Sequence, residues 1–241
     1  MNNYRTVLIT GASGGIGRSI VREYANNNAY KVIAMHSGRR NIDLIGSNVE
    51  VYSCDFSTAN SFEEVKVFLE GVNQIDILIN NAGLITSSKN FLEGSTDDLA
   101  RSININFMMA LNLCKICLPK MIENDFGRII NVSSNTVTLK GSQTNFPYYL
   151  SKGMLDLLTV YIAKHFSHKN ITCNGIRPGL IKSGMHKNVS GYDEKKFNER
   201  EMLVPGGKAG NVEDVSSVVK QLSLDSSWFI NGQVISISKG E

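Results

Sequence analysis

The run Tyr148-Tyr149-Leu150-Ser151-Lys152 places a phenol and an ammonium four residues apart, with Ser133-Ser134 a little upstream. On a helix, such positions project from one face, a turn apart. A cation beside a phenol stabilises phenolate and lowers the phenol's pKa from its usual value of about 10. A Tyr so tuned gives or takes a proton near neutral pH, which free Tyr does poorly. A serine hydroxyl on a neighbouring strand end would hold the oxygen that receives that proton. Taken alone, the run is more simply two aromatic residues opening an amphipathic helix with a solvated Lys. The elements around it decide otherwise.

Val7-Leu8-Ile9-Thr10 is a short apolar strand, followed at once by Gly11-Ala12-Ser13-Gly14-Gly15-Ile16-Gly17 and a helical pattern at Ile16, Ile20, Val21 and Tyr24. Strand, glycine turn and helix form a phosphate-cradling unit. Glycines let the backbone approach a pyrophosphate, and the helix N-terminus adds amide donors and a positive dipole. The spacing is Gly-x-x-x-Gly-x-Gly, not the Gly-x-Gly-x-x-Gly of the standard dinucleotide fingerprint. The second strand, Lys31 to Met35, ends in His36-Ser37-Gly38-Arg39-Arg40. No acidic residue stands there to bind ribose hydroxyls. Ser37 with Arg39 and Arg40 suits a 2′-phosphate, which puts NADP(H) ahead of NAD(H).

Further strands run over Val49–Cys54, Ile75–Ile79, Arg128–Val132, Ile171–Ile176 and Gln233–Ile237. Helical patterns fall at Phe62–Leu69, Thr96–Glu123, Pro147–Phe166 and Val212–Leu222. Alternating strand and helix over the whole chain implies one domain, residues 1–241: an α/β, Rossmann-like, doubly wound parallel sheet of about seven strands with helices on both faces. Ligands of such sheets bind beyond the strands' carboxyl ends. Gly11–Gly17, Asp55 with Phe56, Asn80–Gly83, Ser133-Ser134 and Pro178-Gly179 all follow strands, so they converge on one crevice. Polar Asn104 and Asn106 lie inside an apolar helix and need partners. The stretch 182–205 is long, polar and weakly patterned, as lids, binding loops and disordered segments are.

Composition narrows the partners. Hydrophobic residues make up 42% and charged residues 20%, ordinary for a soluble globular protein. The net charge of +3 comes without a Lys/Arg block or a basic stripe interleaved with aromatics, so no nucleic-acid partner is expected. No apolar run approaches the roughly 20 residues of a membrane span, and the start leads into a strand rather than a signal peptide. A cytoplasmic setting is expected. Cys114-x-x-Cys117 lacks a second ligand pair, and His165-x-x-His168 closes a polar helix end, so no metal is expected. All four cysteines are expected as buried apolar thiols.

In this order and spacing the chain resembles the short-chain dehydrogenase/reductase family over nearly its whole length. The resemblance rests on Thr10-Gly11-x-x-x-Gly15-x-Gly17, Asp55, Asn80-Asn81-Ala82-Gly83, Asn106, Ser134, Tyr148-x-x-x-Lys152 and Pro178-Gly179-x-Ile181. It implies Tyr148 as general acid in reduction and base in oxidation. Lys152 would lower the Tyr148 pKa and bind the nicotinamide ribose, Ser134 would bond the substrate carbonyl, and Asn106 would hold a water in a proton relay. Asp55 would meet the adenine, Asn81, Ala82 and Gly83 the ribose side, and Ile181 the nicotinamide carboxamide. Ser183 would supply a hydroxyl near the cofactor phosphates. Family spacing selects Tyr148 over Tyr149, Ser134 over Ser133 and Asn106 over Asn104. The family's usual final Asp-Gly-Gly is replaced by Ser238-Lys239-Gly240, and the stretch His36–Asp55 is short enough to reduce a helix to a turn.

Within the family the chain is similar to the 3-oxoacyl-carrier-protein reductase branch, with Arg128 and Lys169 falling where that branch's docking residues lie, although an Arg after Gly127 is common across the whole family. The polar stretches 140–145 and 182–200 suit a sugar or nucleotide-sugar at least as well as an acyl chain. A non-catalytic nucleotide sensor or scaffold is the reading from another class, and it is opposed by the presence of Asn106, Ser134, Tyr148 and Lys152 together. The family pairs the helices near Thr96–Glu123 and Pro147–Phe166 across a two-fold axis, which implies a homodimer or homotetramer.

Overall fold

The computed structural model describes residues 4–38, 46–86, 89–185 and 193–241. Seven strands form one parallel sheet: β1 Arg5–Ile9, β2 Tyr30–His36, β3 Val49–Ser53, β4 Ile77–Asn80, β5 Gly127–Val132, β6 Ile171–Pro178 and β7 Val234–Ile237. Their order is β3-β2-β1-β4-β5-β6-β7, so the winding reverses at β1, which pairs β2 on one side and β4 on the other. Loops leaving β1 and β4 therefore part in opposite directions and open a crevice at the strands' carboxyl ends.

The central strands are apolar almost without interruption because both of their faces are covered. On one face Leu8, Leu78 and Ile129 pack under α2 (Ser61–Glu70), α4 (Met109–Glu123) and α5 (Phe146–Phe166). On the other, Val7, Ile9, Ile77, Ile79 and Ile130 pack under α1 (Gly15–Tyr24) and α7 (Val212–Leu222). Alternate residues of one strand thus serve opposite layers, and each buried Val, Leu or Ile contributes about 1.5–3 kcal/mol.

Three features differ from the sequence expectation. The helix over 96–123 is interrupted: α3 (Thr96–Ile103) passes through a π turn at Asn104–Met108 into α4, with the Met109 amide bonded to the Asn104 carbonyl. A π turn admits an extra residue and often marks a functional site; apolar periodicity alone does not reveal it. The composite helix is also long and apolar enough to cross a membrane, but half of its most apolar stretch is buried inside the protein. Finally, the stretch 182–205 contains α6 (Glu194–Leu203), whose residues are all at least partly exposed. With no buried face it has no apolar period to read; its signals were the Asp193 side chain, which caps it by accepting from the Lys195 amide at 2.9 Å, with Glu194 in the first turn and Arg200 in the last. Arg39, Arg40 and most of the β2–β3 connection lie outside the described residues.

Candidate active site

Gly11, at φ +64°, follows β1 and turns the chain toward α1. The N-cap of α1 is Gly14, whose lack of a side chain leaves the first helical amides without a side-chain cap. The turn is packed too closely for any larger residue. A methyl at Gly17 would sit 2.1 Å from the Gly11 carbonyl oxygen, and one at Gly15 would sit 2.3 Å from the Ser183 carbonyl oxygen. Uncapped amides facing open space form a cradle for an anion.

Thr10 and Asn81 fix the two lips of the crevice. The Thr10 hydroxyl accepts from the Asn81 and Ala82 amides, each at 3.0 Å, and the Asn81 side-chain amide donates to the Thr10 and Gly11 carbonyls at 3.0 and 3.2 Å. The resulting cavity, about 480 Å³, is walled by the glycine turn, Ser37, Asp55, Phe56, Asn81–Gly83 and Ser183. Asp55 holds its own loop, accepting from the Ser57 amide and hydroxyl at 3.0 and 2.8 Å.

A second pocket of about 240 Å³ adjoins the first and shares Ile16, Asn81, Ile85, Ser183 and Met185 with it. Ser134, Tyr148, Lys152, Pro178, Gly179 and Ile181 line it. Ser133 borders it too, but its hydroxyl is engaged, donating to the Lys152 carbonyl at 3.1 Å and pinning α5 to β5. Tyr149 instead packs over Gly141. Asn106 lies close by, with its Oδ1 3.6 Å from where a Gly83 methyl would stand. Its side chain accepts from the Leu84 amide at 2.8 Å and donates to the Leu84 carbonyl, the Ser102 hydroxyl and the Ser151 hydroxyl at 3.0–3.1 Å. The buried amide of the π turn thus ties the loop after β4 to α5.

A family model described as short chain dehydrogenase matches residues 5–193. The chain belongs to the short-chain dehydrogenase family. It is an NAD(P)-dependent oxidoreductase. Relatives in this family include the 3-oxoacyl-[acyl-carrier-protein] reductase FabG of Rickettsia conorii, 32% identical over 98% of this chain and 96% of the relative. The FabG of Aquifex aeolicus is 31% identical over 97% and 95%. Among solved structures, a putative gluconate dehydrogenase from Agrobacterium tumefaciens superposes with a TM-score of 0.85 at 26% identity, over 99% of this chain and 96% of that one. ElxO with NADP bound gives 0.85 at 28% identity, over 98% of both chains.

The electrostatics of this short-chain dehydrogenase depart from expectation at one point. Burial pushes the Tyr148 phenol above its usual pKa, opposed by a hydrogen bond with Ser134. Lys152 Nζ is turned to the Val132 carbonyl, to which it donates at 2.7 Å, and stands 5.8 Å from the Tyr148 ring centroid. Burial lowers the Lys152 amine to about 8, against the charge of Asp156, which raises it. Asp156 is held in turn by Arg177, at 2.9 and 3.0 Å.

Arg128 is also corrected. It is fully buried, donates to the Gly127 and Asn170 carbonyls at 2.9 and 3.0 Å, and lies over the Phe126 ring. Such a residue cannot dock a partner. The expectation for the cysteines stands, since all four are buried and unpaired. Sequence reasoning missed Asn135, Arg200 and Glu241, which line the second pocket from three distant stretches. It also passed over the locking role of Thr10, whose signal was a polar residue closing an apolar strand.

Proposed function

We propose that this chain is an NADP(H)-dependent reductase of a ketone group, with alcohol oxidation as the reverse reaction on the same residues. The observation that carries the reading is the shared wall between the glycine-lined crevice and the pocket holding Ser134, Tyr148 and Lys152. The crevice fits a dinucleotide, because it pairs an uncapped helix start with glycines that a single methyl would fill. Amides of Gly11 through Gly17, Ser13 among them, would take the pyrophosphate, and Asp55 and Phe56 the adenine side. Asn81, Ala82 and Gly83 would line a ribose, with Pro178, Gly179, Ile181 and Ser183 around the nicotinamide end. Ser37, half-buried in the crevice, and Arg39 would receive a 2′-phosphate. When bound, the cofactor supplies or accepts the hydride.

The chain's own residues orient the carbonyl and move the proton. Ser134 holds the carbonyl oxygen, and Tyr148 Oη gives it a proton in reduction or removes one in oxidation. The Lys152 ammonium leaves the Val132 carbonyl to hold the ribose hydroxyls and to stabilise the phenolate that Tyr148 becomes. Asn106 belongs to the relay that restores the phenol proton.

The FabG relatives favour a 3-oxoacyl group, borne on a carrier protein, as the substrate. A sugar or sugar acid is the second reading. Polar Asn135, Thr136, Asn145, Arg200 and Glu241 surround the pocket, and one similar structure is described as a gluconate dehydrogenase. We further infer a single domain over 1–241, a cytoplasmic setting and a homodimer or homotetramer. Titration of NADPH against NADH, followed by a screen of 3-oxoacyl thioesters and keto sugars, tests this reading. Tighter NADPH binding with ketone-dependent oxidation is the expected result. Equal affinity would sink the NADP(H) assignment, and the absence of both binding and turnover would leave the non-catalytic alternative.

A further inference from the structure

Among the described residues, Arg200, in the last turn of α6, and Glu241 are the charged side chains that join Lys152 around the second pocket. They are paired: Arg200 Nη2 lies 2.5 Å from Glu241 Oε1. Glu241 reaches the pocket because the chain reverses after β7. Lys239 and Gly240 both have positive φ, at 60° and 90°, and the Glu241 amide donates to the Ser238 carbonyl at 3.1 Å. Its carbonyl then accepts from the Asn135 side chain at 3.3 Å.

The pair is poorly matched. A guanidinium offers five N–H donors in a planar fork suited to a bidentate carboxylate. Among the described residues, Glu241 is the hydrogen-bond partner of that fork, and it engages one oxygen. The other, Oε2, is buried without a hydrogen-bond partner among those residues, and it stands 2.8 Å from where a Gly179 methyl would be. Burying half a carboxylate unpaired is costly. Nor is the pair needed to fasten α6. Glu201 already does so, accepting from Lys182 Nζ at 2.7 Å and from the Ala209 amide at 2.9 Å, and Val204 packs with Leu180 and Ala209 beneath. Arg200 is half exposed while Glu241 is mostly covered, so the guanidinium stays open to an incoming group.

We propose that Arg200 is a specificity-determining residue that binds a carboxylate on the carbonyl substrate, and that Glu241 is the internal counter-ion exchanged for that carboxylate. The inference rests on reading the adjoining Ser134–Tyr148–Lys152 pocket as the place of carbonyl chemistry. It fixes a substrate class within that reading: a keto acid. The Arg200–Glu241 ion pair stands in for the substrate's own salt bridge, and no covalent step is involved.

Isothermal titration of glutarate, an unreactive dicarboxylate, into NADP⁺-loaded protein tests the subsite without turnover. Arg200→Gln should weaken glutarate at least tenfold, whereas Glu241→Gln, which removes the competitor at constant size, should tighten it severalfold. A purely structural latch would make the two variants change affinity in the same direction. That result, unchanged affinity, or no binding to the parent overturns the proposal. If Arg200→Gln fails to fold, Arg200→Lys keeps the charge without the fork, and it should bind glutarate more weakly than the parent. In parallel, NADPH oxidation is compared on 5-oxohexanoate and its methyl ester. The acid-to-ester ratio of kcat/KM should fall at least tenfold in Arg200→Gln and rise in Glu241→Gln. Arg200-dependent glutarate binding with neither ketone reduced would keep the subsite and remove the reductase reading. Reduction of both ketones at a ratio the variants leave unchanged would do the reverse.

Discussion

The Lys152 ammonium donates to the carbonyl of Val132, the last residue of β5, at 2.7 Å. Its position there couples the helix bearing Tyr148 to the strand that delivers Ser134. Burial lowers its pKa to about 8, so its charge is present below that pH and lost above it. Since kcat/KM reports the free enzyme's essential groups, kcat/KM for NADPH should fall as pH rises through about 8. Lys152→Arg, charged throughout, should move that fall beyond pH 10. A profile with the same alkaline limb in both proteins would separate Lys152 from cofactor capture.

Tyr148→Phe removes the proton donor but leaves the ring that packs the pocket. Turnover should drop by about 10²–10⁴-fold, the usual worth of a general acid, with NADPH affinity changed no more than a few-fold. Tyr149→Phe should keep activity, because Tyr149 packs over Gly141 outside the pocket lining. Stopped-flow reduction of one ketone by the three proteins decides the matter, and parent-like rates in Tyr148→Phe would refute the assignment.

Much of this site was legible in the sequence because its residues sit in short local signals. Gly11–Gly17 follows an apolar strand directly, and Tyr148 and Lys152 share a helix face by spacing alone. What stayed hidden depends on contacts across the fold. Glu241 meets Arg200 only because the turn at Ser238–Glu241 and helix α6 converge, and neither stretch has an apolar period. Arg128 looked like a surface cation by type. Only the register of β5 beside Asn170 places it in the interior. The pKa of Tyr148 was misjudged for a related reason: spacing puts Lys152 on the right face but cannot say which oxygen its amine chooses.

Gly17→Ala should be the most damaging small change in the crevice. Its methyl would stand 2.1 Å from the Gly11 carbonyl oxygen, and backbone cannot swing aside as a side-chain tip can. Overpacking of this kind costs about 1–3 kcal/mol and displaces the amides that would hold a pyrophosphate. Thermal unfolding should report a lower Tm, and NADPH titration should report lost binding. A variant with both properties intact would mean that the loop has room the geometry denies.

Lys220 gives a stability test away from the site. Its amine lies 3.9 and 3.6 Å from the Tyr24 and Tyr30 ring centroids, and burial lowers it to about 8, against the nearby charge of Glu23. Between pH 8 and about 10.5 the unfolded chain therefore holds the proton that the folded one has released, so this group's contribution to stability rises with pH. Lys220→Met should raise Tm most at or below pH 8, and the gap from the parent should narrow as pH approaches 10.5. A gap that is constant or widening with pH would rule out the buried charge as the cause.

The assembly test concerns α5, whose two faces have different roles. Leu155, Thr159 and Ile162 are buried against the sheet, while Leu157, Val160 and Tyr161 stand 74, 49 and 60% exposed. Positions i, i+3 and i+4 form one stripe, and an exposed apolar stripe is a candidate for burial between subunits. The same helix carries Tyr148 and Lys152, so pairing through it would stiffen the element that positions the proton donor. Sedimentation at micromolar concentration should find the parent as dimer or tetramer. Leu157→Glu should shift it to smaller species, with Tm falling because association stabilises by mass action. If Leu157→Glu sediments like an oligomeric parent, the interface lies elsewhere, and the exposed Trp228–Phe229 pair becomes the face to alter next.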